Sequence, residues 1–221
     1  MSIGTTTSPR RTSAKNLVNV GVFTAVYFVL FFACGMIGIV APVAMFFGWA
    51  AAVLLNGVVI MLYVARTRMV GSLALTGLII GILMVLTGHV WYTAIVTPVL
   101  GLVADLIIRA GMYRSVPLNC IGYAVFSLWY LTPIAPFFLD SAGYHEYLAD
   151  TMGTDYADRF LDSVSFTLVS VMTILIFLLS LVAAWLGMRM LTRHFTRAGV
   201  AGAAGRSDRG PGVGATTAVP R

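Results

Sequence analysis

Charge is scarce in this 221-residue chain: Asp, Glu, Lys and Arg together make up 10% of it, against about 25% in soluble domains. What little there is leaves two long gaps. Residues 16–65 and 69–104 carry no formal charge with neutral His, which excludes an ordinary water-soluble fold. Cysteine is nearly absent as well. Cys34 and Cys120 are expected near opposite membrane faces, too far apart for a bridge, so cysteine usage says little about redox compartment. Catalytic signatures are missing too: no Gly-x-Ser-x-Gly, no His-Glu-x-x-His and no Walker A run occurs. His89, His145 and His194 do not fall with carboxylates at a metal-ligand spacing. The expectation is a chain that is not an enzyme, binds no metal, carries no cofactor and does not bind nucleic acid.

What is present is apolar sequence, 59% of the chain, with a mean hydropathy of +0.93. A span needs roughly 20 such residues to cross a hydrocarbon core of about 30 Å. The pattern predicts an all-α integral membrane protein, a six-transmembrane-helix bundle over residues 16–197, with helices at about 16–34, 44–65, 69–87, 91–108, 117–137 and 163–188. Gly35, Gly38 and Ala41–Pro42 mark the first break, and Pro98 predicts a kink in the fourth helix. Asp105 and Arg109 are four apart, so an ion pair is expected between them. Gly21-x-x-x-Ala25 and Gly77-x-x-x-Gly81 place small residues on one helical face, where another helix can approach closely.

The charges that remain are sorted by position. Residues 1–15 form a basic lead rather than a signal peptide, because the apolar run continues far beyond the usual 7–15 residues. Arg66, Arg68, Arg109 and Arg114 fall in two later connections, and Arg189, Arg193 and Arg197 follow the last span at helical spacing. The tail 198–221 has the composition of a disordered segment. With both termini cytoplasmic, 13 of the 14 basic residues lie inside and only Arg159 lies outside, the arrangement the positive-inside rule selects. The outer acidic loop 139–162 then carries six of the eight acids. Their spacing does not match an EF-hand, so a solvated extracellular loop, with room for a short helix, is expected.

This topology gathers aromatic and polar side chains at the outer level. Trp49, His89, Trp91, Tyr92, Trp129, Tyr130, Tyr144 and His145 are the candidate ligand-binding residues, with Asn56 below them in the second helix. Trp and Tyr also collect at headgroup depth simply because they are amphipathic. His is not a belt residue, and His89 lies at the tip of a tight hairpin, where one ring can donate and accept. An imidazole among flat rings suits a small, partly aromatic, water-soluble molecule.

Asn19–Val–Gly–Val–Phe–Thr–Ala–Val–Tyr–Phe–Val–Leu, the tip Gly88–His89–Val90–Trp91–Tyr92, Gly101–Leu–Val–Ala–Asp105 and the acidic segment before the last helix resemble the Trep-Strep family over residues 16–197. Its members are S components of energy-coupling-factor (ECF) transporters. The resemblance implies a six-helix protein in a prokaryotic cell membrane that captures a vitamin-like micronutrient at the outer surface. It implies as partners an ECF transmembrane coupling subunit and a pair of ATPase subunits, besides membrane lipid and the substrate. The docking face would be Gly21 and Ala25, where the usual Ala-x-x-x-Ala reads Gly-x-x-x-Ala. The chain lacks the His-rich amino terminus of nickel or cobalt S components, which disfavours a metal substrate. Two other readings of the residues stay open: a structural or assembly bundle, and a carrier acting alone.

Overall fold

A computed structural model describes residues 14–197; the lead 1–13 and the tail 198–221 lie outside the described residues, as do the side chains of Lys15 and of 194–197. The described residues are helices joined by short turns, with no strand among them. In order come α1 (Ala14–Gly35), a 3-10 turn (Met36–Ile39), α2 (Pro42–Thr67), α3 (Ser72–Leu86), α4 (Thr93–Ala110) and α5 (Val116–Ser127). A 3-10 stretch (Leu128–Ile134) follows, then α6 (Ala135–Leu139), α7 (Ser141–Met152), α8 (Thr154–Ser163) and α9 (Phe166–Arg197). Of the described residues, those up to Met188 form one compact unit and those from Arg189 a second, described only through the end of α9.

Five stretches are long and apolar enough to cross a membrane: Asn16–Ile39, Pro42–Thr67, Thr93–Ala110, Val116–Leu139 and Phe166–Arg193. The third expected span is shorter, because α3 has 15 residues, about 22 Å at 1.5 Å per residue. Small residues lock it to its neighbour. A Cβ at Gly77 would come within 2.5 Å of the Thr97 carbonyl oxygen, and one at Gly81 within 2.7 Å of the Ala94 Cα. The Gly77-x-x-x-Gly81 face is therefore spent on packing α3 against α4, backbone to backbone. Gly57 does the same for α2 and α9, where a Cβ would meet that of Ala183 at 2.5 Å.

Gly21-x-x-x-Ala25 behaves differently. Both residues are exposed on α1, and a Cβ at Gly21 would meet nothing within 4 Å. Internal packing, one of the two expected uses of this face, does not occur among the described residues.

Asp105 also departs from expectation. It is 1% exposed, and its carboxylate accepts the backbone N–H groups of Leu73 (3.0 Å) and Ala74 (3.1 Å) and the Ser72 hydroxyl (3.3 Å). Among the described residues it forms no ion pair with Arg109. The physical reason is that α3 begins after Gly71, whose φ of 87° allows the turn but which has no side chain to cap the helix. The carboxylate supplies that cap from α4. From there a run of hydroxyl contacts crosses the bundle: the Tyr63 hydroxyl donates to the Ser72 carbonyl, the Thr76 hydroxyl to that of Tyr63, and Thr24 shares a bond with Thr76.

Two expected elements break differently in the structure. The fifth span is not one α-helix to about 137, because Pro133 has no N–H for the Trp129 carbonyl. The Thr132 hydroxyl donates to that carbonyl instead, at 2.8 Å, and the chain tightens to 3-10 geometry before α6. The acidic segment, expected as a loop, folds into α7 and α8, joined at Gly153 with φ 91°. Its periodicity explains this: in α8, Ala157 and Phe160 are buried while Asp155, Asp158 and Asp162 are exposed, an amphipathic face that packing can hold. At Pro98, by contrast, α4 runs on without interruption.

Candidate functional site

The α1–α2 turn, the α3–α4 tip, the 3-10 stretch with α6, and α7–α8 surround one cavity of about 600 Å³. Every acid from Asp140 to Asp162 is exposed on the last of these walls, so this is the acidic end of the bundle.

Three tyrosines tie α7 and α8 to the other walls. The Tyr144 hydroxyl donates to the Pro133 carbonyl (3.3 Å), Tyr147 to that of Gly88 (3.0 Å) and Tyr156 to that of Gly38 (3.1 Å). Each acceptor lies in a tight turn or 3-10 segment, where carbonyls lose their regular helical donors. The three rings line the cavity while their hydroxyls are used for these bonds. Burial raises the Tyr144 and Tyr156 hydroxyls above the usual phenol value, and neighbouring tyrosines raise Tyr144 further. Both are neutral donors at physiological pH. On the acidic face, His145 meets Asp158 at 2.8 Å, a contact between α7 and α8 that faces away from the cavity lining.

The opposite wall is apolar and adaptable. Phe31, Phe32 and Trp49 offer rings, and Met36, Met45 and Met84 offer thioethers that can conform to an irregular guest. His89 completes the tip. Its backbone N–H donates to Met84 (3.0 Å), and its Nδ1 lies 3.2 Å from the Thr87 hydroxyl, which itself donates to the Met84 carbonyl. With that proton committed, Nδ1–H donates to Thr87 and Nε2 is the ring's acceptor. Burial lowers the His89 pKa, with the backbone bond to Met84 opposing it more weakly, so the ring is neutral at physiological pH.

The structure sorts the candidate residues. Trp49, His89 and Tyr144 line the cavity. Trp91 is 69% exposed and outside the lining, and Tyr92 beside it also lies outside, its hydroxyl buried and without a hydrogen-bond partner among the described residues. Asn56, Trp129 and Tyr130 are wholly buried among the helices instead. There the Asn56 amide donates to the Tyr27 carbonyl and the Tyr130 hydroxyl, both at 3.3 Å, and the Trp129 indole donates to the Tyr27 hydroxyl at 2.9 Å. These three support the cavity without lining it, since Phe31 packs on Trp129 and Tyr130 with ring centroids 4.6 and 4.7 Å apart.

Phe31, Phe32, Tyr147, Tyr156 and Asp140 also line the cavity and were not among the residues expected there. The three-residue spacing of Tyr144 and Tyr147 was a legible signal for a shared helical face. Nothing in the sequence marked Phe31 or Phe32 among the other apolar residues of α1.

An all-helical bundle with five membrane-length stretches and an aromatic cavity at one end defines an integral membrane protein with room for a small molecule. The family model described as a hypothetical bacterial integral membrane protein (Trep_Strep) matches residues 14–197, and the chain belongs to that family. No curated protein and no solved structure matches it.

Proposed function

We propose that this protein is the substrate-capturing S component of an ECF-type importer in the bacterial plasma membrane, taking up a vitamin-like micronutrient without catalysis or cofactor of its own. The observation that carries this reading is the cavity of about 600 Å³, within the roughly 300–1,000 Å³ of small-molecule sites, walled on one side by α7–α8. In this reading the chain crosses the bilayer six times, α3 included, with both termini in the cytoplasm and the acidic end outside. The arginines at 66, 68, 109 and 114 support that orientation.

The coupling subunit, carrying its pair of ATPase subunits, docks on α1. The open Gly21–Ala25 face supports this assignment, since no element of the bundle covers it. A small-residue surface in lipid lets a partner helix approach closely, and close packing replaces the hydrophobic effect as the driving force there.

The test is to purify the protein from its native membrane, release any bound small molecule by denaturation and identify it by mass spectrometry. Uptake of that molecule in vesicles should require the ATPases. A protein that releases nothing and is stabilised by no metabolite, where a ligand at 100 times its Kd adds about 2.7 kcal/mol, is not a capture component. Uptake without ATP would instead mark a carrier acting alone.

A further inference from the structure

The charge of the lining narrows the ligand. Among the described residues no Lys or Arg side chain lines the cavity, and the sequence explains why: none occurs between Lys15 and Arg66 or between Arg68 and Arg109, and Arg159 alone falls between Arg114 and Arg189. Arg159 is exposed on α8, where its Nε donates to the Asp155 carbonyl, and lies outside the lining. The N-terminus of α7, which could otherwise hold an anion, is already taken, because the Asp140 carboxylate accepts the Gly143 N–H at 3.0 Å. A carboxylate or phosphate entering this space would lose its water and find no counter-charge.

The features that are present suit the opposite sign. Asp140 is the one formally charged residue among the described residues that line the cavity, and the five further acids of α7 and α8 are exposed outside the lining, adding only a longer-range negative field. Phe31, Phe32, Trp49, Tyr144, Tyr147 and Tyr156 line the space, and the face of an aromatic ring attracts a cation, more strongly where both are desolvated. His89 adds an acceptor and no charge. We propose that the cavity takes an organic cation, a molecule with a quaternary or ring-delocalised positive nitrogen and a flat apolar body. This rests on the capture reading above and specifies its substrate class.

Thermal unfolding of the purified full-length protein in lipid nanodiscs, with three probes of one shape, tests it: 1-methylnicotinamide (cation), nicotinamide (neutral) and nicotinate (anion). The released native molecule is scored for charge alongside. Stabilisation strongest for 1-methylnicotinamide, together with a cationic released molecule, is the expected result. Asp140→Asn keeps the cap on α7 through its amide oxygen, and should weaken the cation up to about fivefold while leaving nicotinamide unchanged. Stabilisation by nicotinate equal to that by the cation, or a neutral or anionic released molecule, overturns the charge assignment and leaves the capture reading standing. If nothing stabilises the protein and nothing is released, both fall.

Discussion

The Tyr147 hydroxyl donates to the Gly88 carbonyl across 3.0 Å, joining α7 to the α3–α4 tip that carries His89. Tyr144 stacks beside it, with ring centroids 6.0 Å apart. This bond is exposed, so its removal is tolerable. Tyr147→Phe should cost at most about 0.5–1.5 kcal/mol, and hydrogen exchange at residues 87–90 should speed up while exchange in α2 does not. Unchanged exchange at the tip would mean that the bond does not hold the two walls together.

Asp105 gives a sharper stability test. Asp105→Ala leaves two backbone N–H groups and the Ser72 hydroxyl buried without acceptors, at about 1–3 kcal/mol for each unsatisfied group before relaxation. Asp105→Asn retains one acceptor and should recover part of the loss. Arg109→Ala should cost less than 0.5 kcal/mol, in the range of surface substitutions (about ±0.5). Equal losses for Asp105→Ala and Arg109→Ala in a denaturant titration would restore the ion pair.

The two small-residue faces should respond in opposite ways. Gly77→Ala places a methyl group 2.5 Å from the Thr97 carbonyl, and forcing α3 from α4 should cost about 1–3 kcal/mol. At Gly21 a Cβ meets nothing within 4 Å among the described residues, so the melting temperature of Gly21→Leu should match the parent's, while co-purification with the proposed coupling subunit weakens. A Gly21→Leu protein that melts early would place that face inside the fold.

Acid should destabilise the protein through His89. Because burial lowers its pKa in the folded state from 6.5, the unfolded chain takes up a proton first as the pH falls. The contribution is fully present above pH 6.5 and is lost progressively below it. Melting curves between pH 7.5 and 5.5 should fall less steeply for His89→Gln than for the parent. Tyr144 acts at the other extreme: its folded pKa is raised, so its contribution is lost only as pH rises past the ordinary phenol value of 10.0. Parallel pH profiles for parent and His89→Gln would show that the ring is not buried.

Five of the six expected spans were legible because lipid imposes one simple demand, a charge-free run long enough to cross. The turn at Gly35–Pro42 and the tip at 88–91 could be read for the same reason. The break at Leu128–Ile134 was half legible: Pro133 and Pro136 were visible, but Thr132 satisfying the Trp129 carbonyl was not. The acidic segment was read as a loop with room for a short helix, and its two helices were not foreseen because six carboxylates in 23 residues outweighed the alternation of Ala157 and Phe160 with Asp155 and Asp158.

Composition and charge order alone dictated a helical membrane protein with one basic and one acidic end, because burying backbone polar groups in hydrocarbon leaves the helix as the available form for such runs. Which rings meet was settled by folding. Trp49, His89 and Tyr144 come together at the cavity while Trp129 and Tyr130 sink beneath it, since contacts between distant segments depend on helix rotation and crossing, set by glycines such as Gly77 and Gly57. Asp105 shows the same division: its neighbour four residues on was plain from spacing, but the uncapped start of α3 became its partner once the two helices were packed.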